Sequence, residues 1–294
     1  MNDSKEGWLG MLKKKRNLAA ISLLILIIVG TFAASAWISL VHSEIDPESR
    51  LLAPSITHWF GTDDFGRDIL LQTLLAAKVS LLVGFVVAVC STILGTFTGL
   101  IAGYYKKADF IIMRVIDGML AFPALLLALA LVAALGGSIT NIIIALTFAF
   151  WPVMTRVVRS VALQVGNVQY IEAAKSTGAS DMVIILKYML PNMMTPIIVQ
   201  GTFIFAKAIL AEAALNFLGV GADPSIPTWG SMLKEAQTYL TTAPWFSVFP
   251  GVAIVVTVLS LNVLGDGLRE ALNPRTASQS FRKNRKRKEK RIAV

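Results

Sequence analysis

The chain has 294 residues, of which 55% are hydrophobic and 15% charged, with a mean hydropathy of +0.67; this excludes an ordinary soluble globular domain. Much of the net charge of +9 sits in the basic run 282–291, which reads as a solvated tail beside an anionic leaflet. Nucleic-acid binding is not expected, because no aromatic platform or folded reader accompanies the charge. One cysteine, Cys90, and two histidines, His42 and His58, leave no intramolecular disulfide and no cluster of metal ligands.

Six apolar runs, each long enough to cross a bilayer as a helix of roughly 20 residues, fall at 18–40, 79–103, 117–136, 140–159, 192–213 and 245–265. They are continuous rather than alternating, and lipid tolerates only helices or closed barrels. The expected fold is therefore an all-α membrane protein with six spans. Ahead of the first run, Lys13–Arg16, with Ala34–Ser35–Ala36 further on, imitates a cleavable leader. The run continues past that point through Trp37–Val41, so the first span is expected to stay.

An external segment, 41–78, follows. Phe60–Asp68 within it carries two glycines and clustered aspartates, the chemistry of a structured turn, with Asp64 or Asp68 capping the next helix. Ile69–Ala77 is expected as a helix lying along the interface. On span two, Gly95, Gly99 and Gly103 recur every fourth residue, a stripe where another backbone can approach closely, in static packing or in a sliding contact. Pro123, Pro152, Pro196 and Pro250 lie within or at the edges of spans and can kink them.

Between spans four and five lies a polar loop, 165–191. Glu172–Thr177 reads as a short helix, Gly178 as its left-handed stop and Ser180 as the cap of a second helix from Asp181 to about Met189, ended by Pro191. Such a helix–Gly–helix is a knob offered to a soluble partner. Lys207 stands alone near the middle of span five. A charge there costs at least about 2.5–3.5 kcal/mol on insertion scales, so it should face a cavity, a partner's acid or, by snorkelling, the interface. Glu212, about 140° round the helix, is a poor partner for it.

With the N-terminus inside, 22 of the 27 Lys and Arg fall in segments 1–17, 104–116, 156–191 and 266–294. The positive-inside rule then places both termini and the 165–191 loop in the cytoplasm. The expected organisation is a cytoplasmic N-terminus (1–17), a first span (18–40), the external segment (41–78), a core of five spans (79–265) and a basic cytoplasmic tail (266–294).

Glu172–Ala173–Ala174, then Gly178, then Leu190–Pro191 resembles the EAA loop of ATP-binding-cassette importer permeases. Gly61–Thr62–Asp63–Asp64 with Gly66–Arg67–Asp68 is similar to the signature of the dipeptide, oligopeptide and nickel class, as are Glu212–Gly221, Pro227–Leu233 and Gly265–Arg275. The resemblance covers residues 58–275 and points to the C-type, OppC/DppC-like permease. Where that family has Ser-Arg, this chain has Leu71–Gln72, and Lys78 stands at a later arginine position. The resemblance implies the type I importer permease fold, with Glu172, Ala173, Ala174, Gly178, Leu190 and Pro191 forming the coupling helix that seats in an ATPase subunit.

It further implies a second, B-type permease, two cytoplasmic ATPase subunits and an external solute-binding protein, with peptides or metal chelates as cargo across the cell membrane. No Gly-x-x-x-x-Gly-Lys-[Ser/Thr] occurs, so ATP and Mg are expected on the partner ATPases, with no catalysis and no cofactor here. Candidate docking residues for the binding protein are Asp63, Asp64, Asp68 and Trp229, in external surfaces that also carry Asp223, Trp59 and Trp245. An ion-coupled secondary carrier is the rival reading, but Asp109, Asp117 and Asp266 lie near membrane edges. An intramembrane enzyme would need a nucleophile–base or Asp-pair constellation, and none is visible.

Overall fold

The computed structural model describes residues 14–40, 46–221 and 226–272; Lys13, Asp223 and the tail from 273 onward lie outside them. The helices are α1 (Lys15–Leu40), α2 (Ile69–Tyr104), α3 (Lys106–Leu120), α4 (Ala124–Leu135), α5 (Ile139–Gly166), α6 (Gln169–Ser176), α7 (Asp181–Phe217), α8 (Trp229–Ala236) and α9 (Trp245–Leu272). Five of these, α1, α2, α5, α7 and α9, are long and apolar enough to cross a membrane, and α3 with α4, bent at the break between them, bring the number to six where the pair counts as one span. The all-α, multi-pass architecture expected from the apolar runs is the one found.

Two apolar cores organise the helices. The larger gathers Val87 of α2, Val132 of α4, Leu146 and Met154 of α5, Ile171 of α6 and Met193 of α7. The smaller joins Ile69 and Ala76 of α2, Ile209 of α7, Trp229 of α8, and Phe246 of α9. Helix α1 contributes a single stripe, in which Asn17, Ala20, Thr31 and Ala34 are buried; residues such as Leu18, Leu26 and Phe32 on its other faces are exposed.

Three expected boundaries move. Ile69–Ala77 is not a separate interfacial helix but the first part of α2, which runs unbroken for 36 residues, about 54 Å at 1.5 Å per residue. Lys78 suggested a border, yet the stretch contains no breaker, and Ile69, Ala76 and Ala77 are buried. The third span is not straight: α3 and α4 meet at 86°. Pro123 stands immediately before α4, where it lacks a donor and is restricted in φ.

Pro191 does not end a helix. A proline there removes the N–H that would bond the Lys187 carbonyl, and its ring crowds that carbonyl. The chain answers with a π-helical turn, Ile184–Met189, in which the Leu190 N–H reaches back to the Ile185 carbonyl. The wider turn lets the helix pass through the proline and continue to Phe217. Ser180 holds the cap position but makes no side-chain capping bond.

Candidate functional site

The polar loop is built on an eight-residue helix, α6. Ile171 and Ala174 point into the larger core, while Glu172, Ala173, Lys175 and Gly178 are exposed. Glu172 in the first turn and Lys175 in the last both complement the helix dipole. The exit is a Schellman motif: Ala179 N–H bonds Ala174 O at 3.1 Å, and Gly178 N–H bonds Lys175 O at 3.0 Å. Gly178 has φ +80, and a Cβ there would meet nothing within 4 Å. The glycine is thus required for its backbone conformation rather than for space. Leu190 is half-buried and Pro191 exposed.

This loop is tied to α2. The Tyr104 hydroxyl donates to Asp181 Oδ1 at 2.6 Å and the Tyr105 hydroxyl to Oδ2 at 3.1 Å. Lys175 Nζ stands over the Tyr104 ring, 5.3 Å from its centroid. The Asp181 hydrogen bond, then partial desolvation, holds the Tyr105 phenol above its usual 10. Beside the loop, Arg159 of α5 grips Asp109 of α3 with two guanidinium nitrogens, the second at 2.7 Å. Arg156 reaches Asp117 at 2.6 Å. In the sequence Arg156 and Arg159 counted toward the basic excess, and Asp109 and Asp117 counted only as acids near membrane edges; matched Arg and Asp in neighbouring segments were the available signal for the pairing.

At the other end of α2 the expected docking residues separate. Trp229 is fully buried and donates from Nε1 to the Thr73 carbonyl at 2.9 Å. Asp63 is 1% exposed and accepts from Phe65 N–H, Arg67 N–H and Arg67 Nε within its own turn. Both hold the chain together and offer no surface to a partner, so they leave the list of docking residues. The apolar bulk of an indole and the multiple acceptors of a turn aspartate are what this cap consumes. Asp68 is the residue that caps α2, through Leu71 N–H at 3.0 Å, and its other oxygen lies 3.1 Å from His58 Nδ1.

Asp64 is partly exposed, and its Oδ1 is buried with no hydrogen-bond partner among the described residues. Burial, then the neighbouring Asp63 charge, pushes the Asp64 carboxyl up from 3.8. Burial likewise raises Glu235, against the pull of Arg67 at 3.9 Å. Exposed apolar groups of this end include Leu52, Ile56, Trp59 and Phe65. Gly66 makes the turn possible: φ is +79, and a Cβ would sit 1.9 Å from the Asp46 carbonyl oxygen.

Lys207 is exposed on α7, and among the described residues no acid pairs with it. It shares its exposed face with Leu210, away from Glu212, which is 1% exposed. Glu212 Oε1 accepts from Asn216 Nδ2 at 2.6 Å, beside Ser80 and Thr228. This buried carboxyl went unnoticed as a structural group; the signal was an acid and an amide four residues apart inside an apolar run. No group of three or more potential metal-ligating residues occurs among the described residues.

The binding-protein-dependent transport system inner membrane component family matches residues 91–278. The dipeptide transport system permease protein DppC of Alkalihalophilus pseudofirmus is 45% identical over 269 residues, covering 90% of this chain and 88% of that protein. The glutathione transport system permease protein GsiD of Escherichia coli is 44% identical over 260 residues, covering 87% and 85%.

Proposed function

This chain belongs to the binding-protein-dependent transport system inner membrane component family and is a DppC-like permease subunit of an ATP-binding-cassette importer, and we propose that its cargo is short peptides. The observation that carries the reading is the 45% identity to a dipeptide permease along 90% of the chain, reinforced by the similarity to a glutathione permease. Neither relative is named for nickel or a metal chelate, so the metal-chelate alternative has no comparable support.

In this reading the chain forms half of the translocation path with a second, B-type permease. Two cytoplasmic ATPase subunits bind ATP and Mg, and an external solute-binding protein delivers the peptide. The chain performs no catalysis and holds no cofactor of its own. Both termini face the cytoplasm, a placement supported by the excess of Lys and Arg there. Glu172, Ala173, Ala174 and Gly178 then form the knob seated in an ATPase subunit, with Leu190 and Pro191 leading its second helix into the membrane. Its exposed, Schellman-terminated geometry suits a rigid contact. Asp64, Asp68 and Trp59 remain as the docking rim for the binding protein, and Lys207 lines the path.

The test is to purify the external binding protein encoded with this permease and identify its co-purifying ligands by mass spectrometry. Peptides are the expected result, with uptake of the same peptides by vesicles containing the whole importer. Recovery of nickel or a metallophore alone would replace the peptide reading.

A further inference from the structure

The hydroxyls of Tyr104 and Tyr105, the last residue of α2 and the one that follows it, converge on the two oxygens of a single carboxylate, Asp181, at the start of α7. A carboxylate can accept several hydrogen bonds, and bonds to a charged acceptor are stronger and shorter than neutral ones. The rings meet edge to face at 4.9 Å, and the Lys175 ammonium covers one of them. Three short elements, the exit of α2, the last turn of α6 and the first turn of α7, are thereby joined at one point.

What lies beyond that point gives the joint its significance. Helix α2 runs without a break from Tyr104 to Ile69. Along its inner half it is locked to α5: a Cβ on Gly99 would sit 2.7 Å from Val158 Cβ, and one on Gly103 would sit 2.4 Å from Ala162 Cβ. At its far end Thr73 O accepts from Trp229, and Asp68 caps the helix while facing His58. One stiff rod therefore reaches from the polar loop to the opposite face of the molecule.

We propose that Asp181 is a positioning residue for transport, clamping the coupling loop to α2 through Tyr104 and Tyr105, so that displacement of the loop is delivered along α2 to the external cap. The proposal rests on reading 165–191 as the ATPase-coupling loop. Without the clamp, α6 is held to the bundle mainly by Ile171 and Ala174 and can tilt on its Gly178 joint while α2 stays still. ATP hydrolysis then proceeds without moving the cap.

The experiment uses the whole importer, reconstituted with its ATPase subunits and binding protein. Tyr104→Phe/Tyr105→Phe keeps both rings and the cation contact and deletes only the two donors. Asp181→Ala deletes the acceptor, and Asp181→Glu restores it. The expected result is normal assembly with peptide moved per ATP hydrolysed falling about tenfold in the first two, the scale of losing hydrogen bonds to a charged group, and recovering in Asp181→Glu. A hydroxyl-free clamp that transports at the original ratio overturns the proposal, and so does a loss explained entirely by lower subunit yield. Gly178→Val serves as the reference. If it uncouples transport while the tyrosine variant does not, the clamp is wrong and the coupling loop stands. If neither variant changes the ratio, the coupling-loop reading fails and takes the clamp with it.

Discussion

Gly95 of α2 lies so close to Met154 of α5 that a Cβ on the glycine would sit 2.4 Å from the methionine Cβ. The next two glycines of the stripe, Gly99 and Gly103, meet Val158 and Ala162 in the same way. In lipid, where no hydrophobic force drives helices together, such close approach is the main source of packing energy. Gly95→Leu should therefore cost about 1–3 kcal/mol or more through forced separation of the helices. Gly118 provides the contrast, since a Cβ there meets nothing within 4 Å, and Gly118→Ala should gain about 0.5–1 kcal/mol from helix propensity. Thermal unfolding of the two purified variants in detergent checks this; equal melting temperatures would mean that the stripe carries no tight contact.

The stripe also shows what was legible in advance. Its spacing announced a helix contact, because small residues at every fourth position leave a groove, but not which helix would fill it. The apolar runs likewise gave the spans, and the left-handed Gly178 was readable because a glycine closes a run of good helix formers. Pro191 was misread because a proline forbids an α-helical bond and not every helical bond; the π-helical turn at Ile184–Met189 uses that latitude. Trp229 was misplaced because an indole suits an interface and a core equally well. Only its hydrogen bond to Thr73, more than a hundred residues away in sequence, decides between them.

Arg159 and Asp109 join α5 to α3 in a two-point contact, with side chains 30% and 25% exposed. A bidentate guanidinium–carboxylate pair is geometrically demanding, so its parts should be strongly coupled. In a double-mutant cycle, Arg159→Ala and Asp109→Ala should each destabilise the chain, and the pair together should cost less than the sum by about 1–3 kcal/mol. Additive effects in thermal or denaturant unfolding would show that the contact contributes nothing as a pair.

Stability of the cap formed by 46–68 and α8 should fall as pH rises. Asp64 and Glu235 both have carboxyls raised above their usual 3.8 and 4.5, chiefly by burial. A raised folded-state value means that the folded chain holds its proton at pH values where the unfolded chain has released it. Stability from these groups is therefore greatest below the unfolded values and is lost as pH climbs through the folded ones. Limited proteolysis of 46–68 in the purified permease should be slower at pH values near the unfolded 3.8 and 4.5 than at neutral pH. In Asp64→Asn/Glu235→Gln the difference should shrink; an unchanged pH slope in that variant would assign the effect to other groups.

Lys207 gives the sharpest test of the transport path. It is exposed in mid-helix on a face of α7 that carries no acid, and among the described residues nothing pairs with it. A lysine in that position keeps three donors to satisfy despite an insertion cost of about 2.5–3.5 kcal/mol. A peptide carboxylate passing along the path would satisfy them, as would an acid on the second permease. Lys207→Met removes the charge and keeps the length. If the lysine meets cargo, heterodimer yield should hold, and uptake of acidic peptides should fall about tenfold relative to neutral ones, the scale of one charge-assisted hydrogen bond. If it meets the partner, the same change strands a buried acid, and yield should fall with all substrates affected alike. Measuring yield and uptake on one preparation separates the two, and no change in either would remove Lys207 from the path.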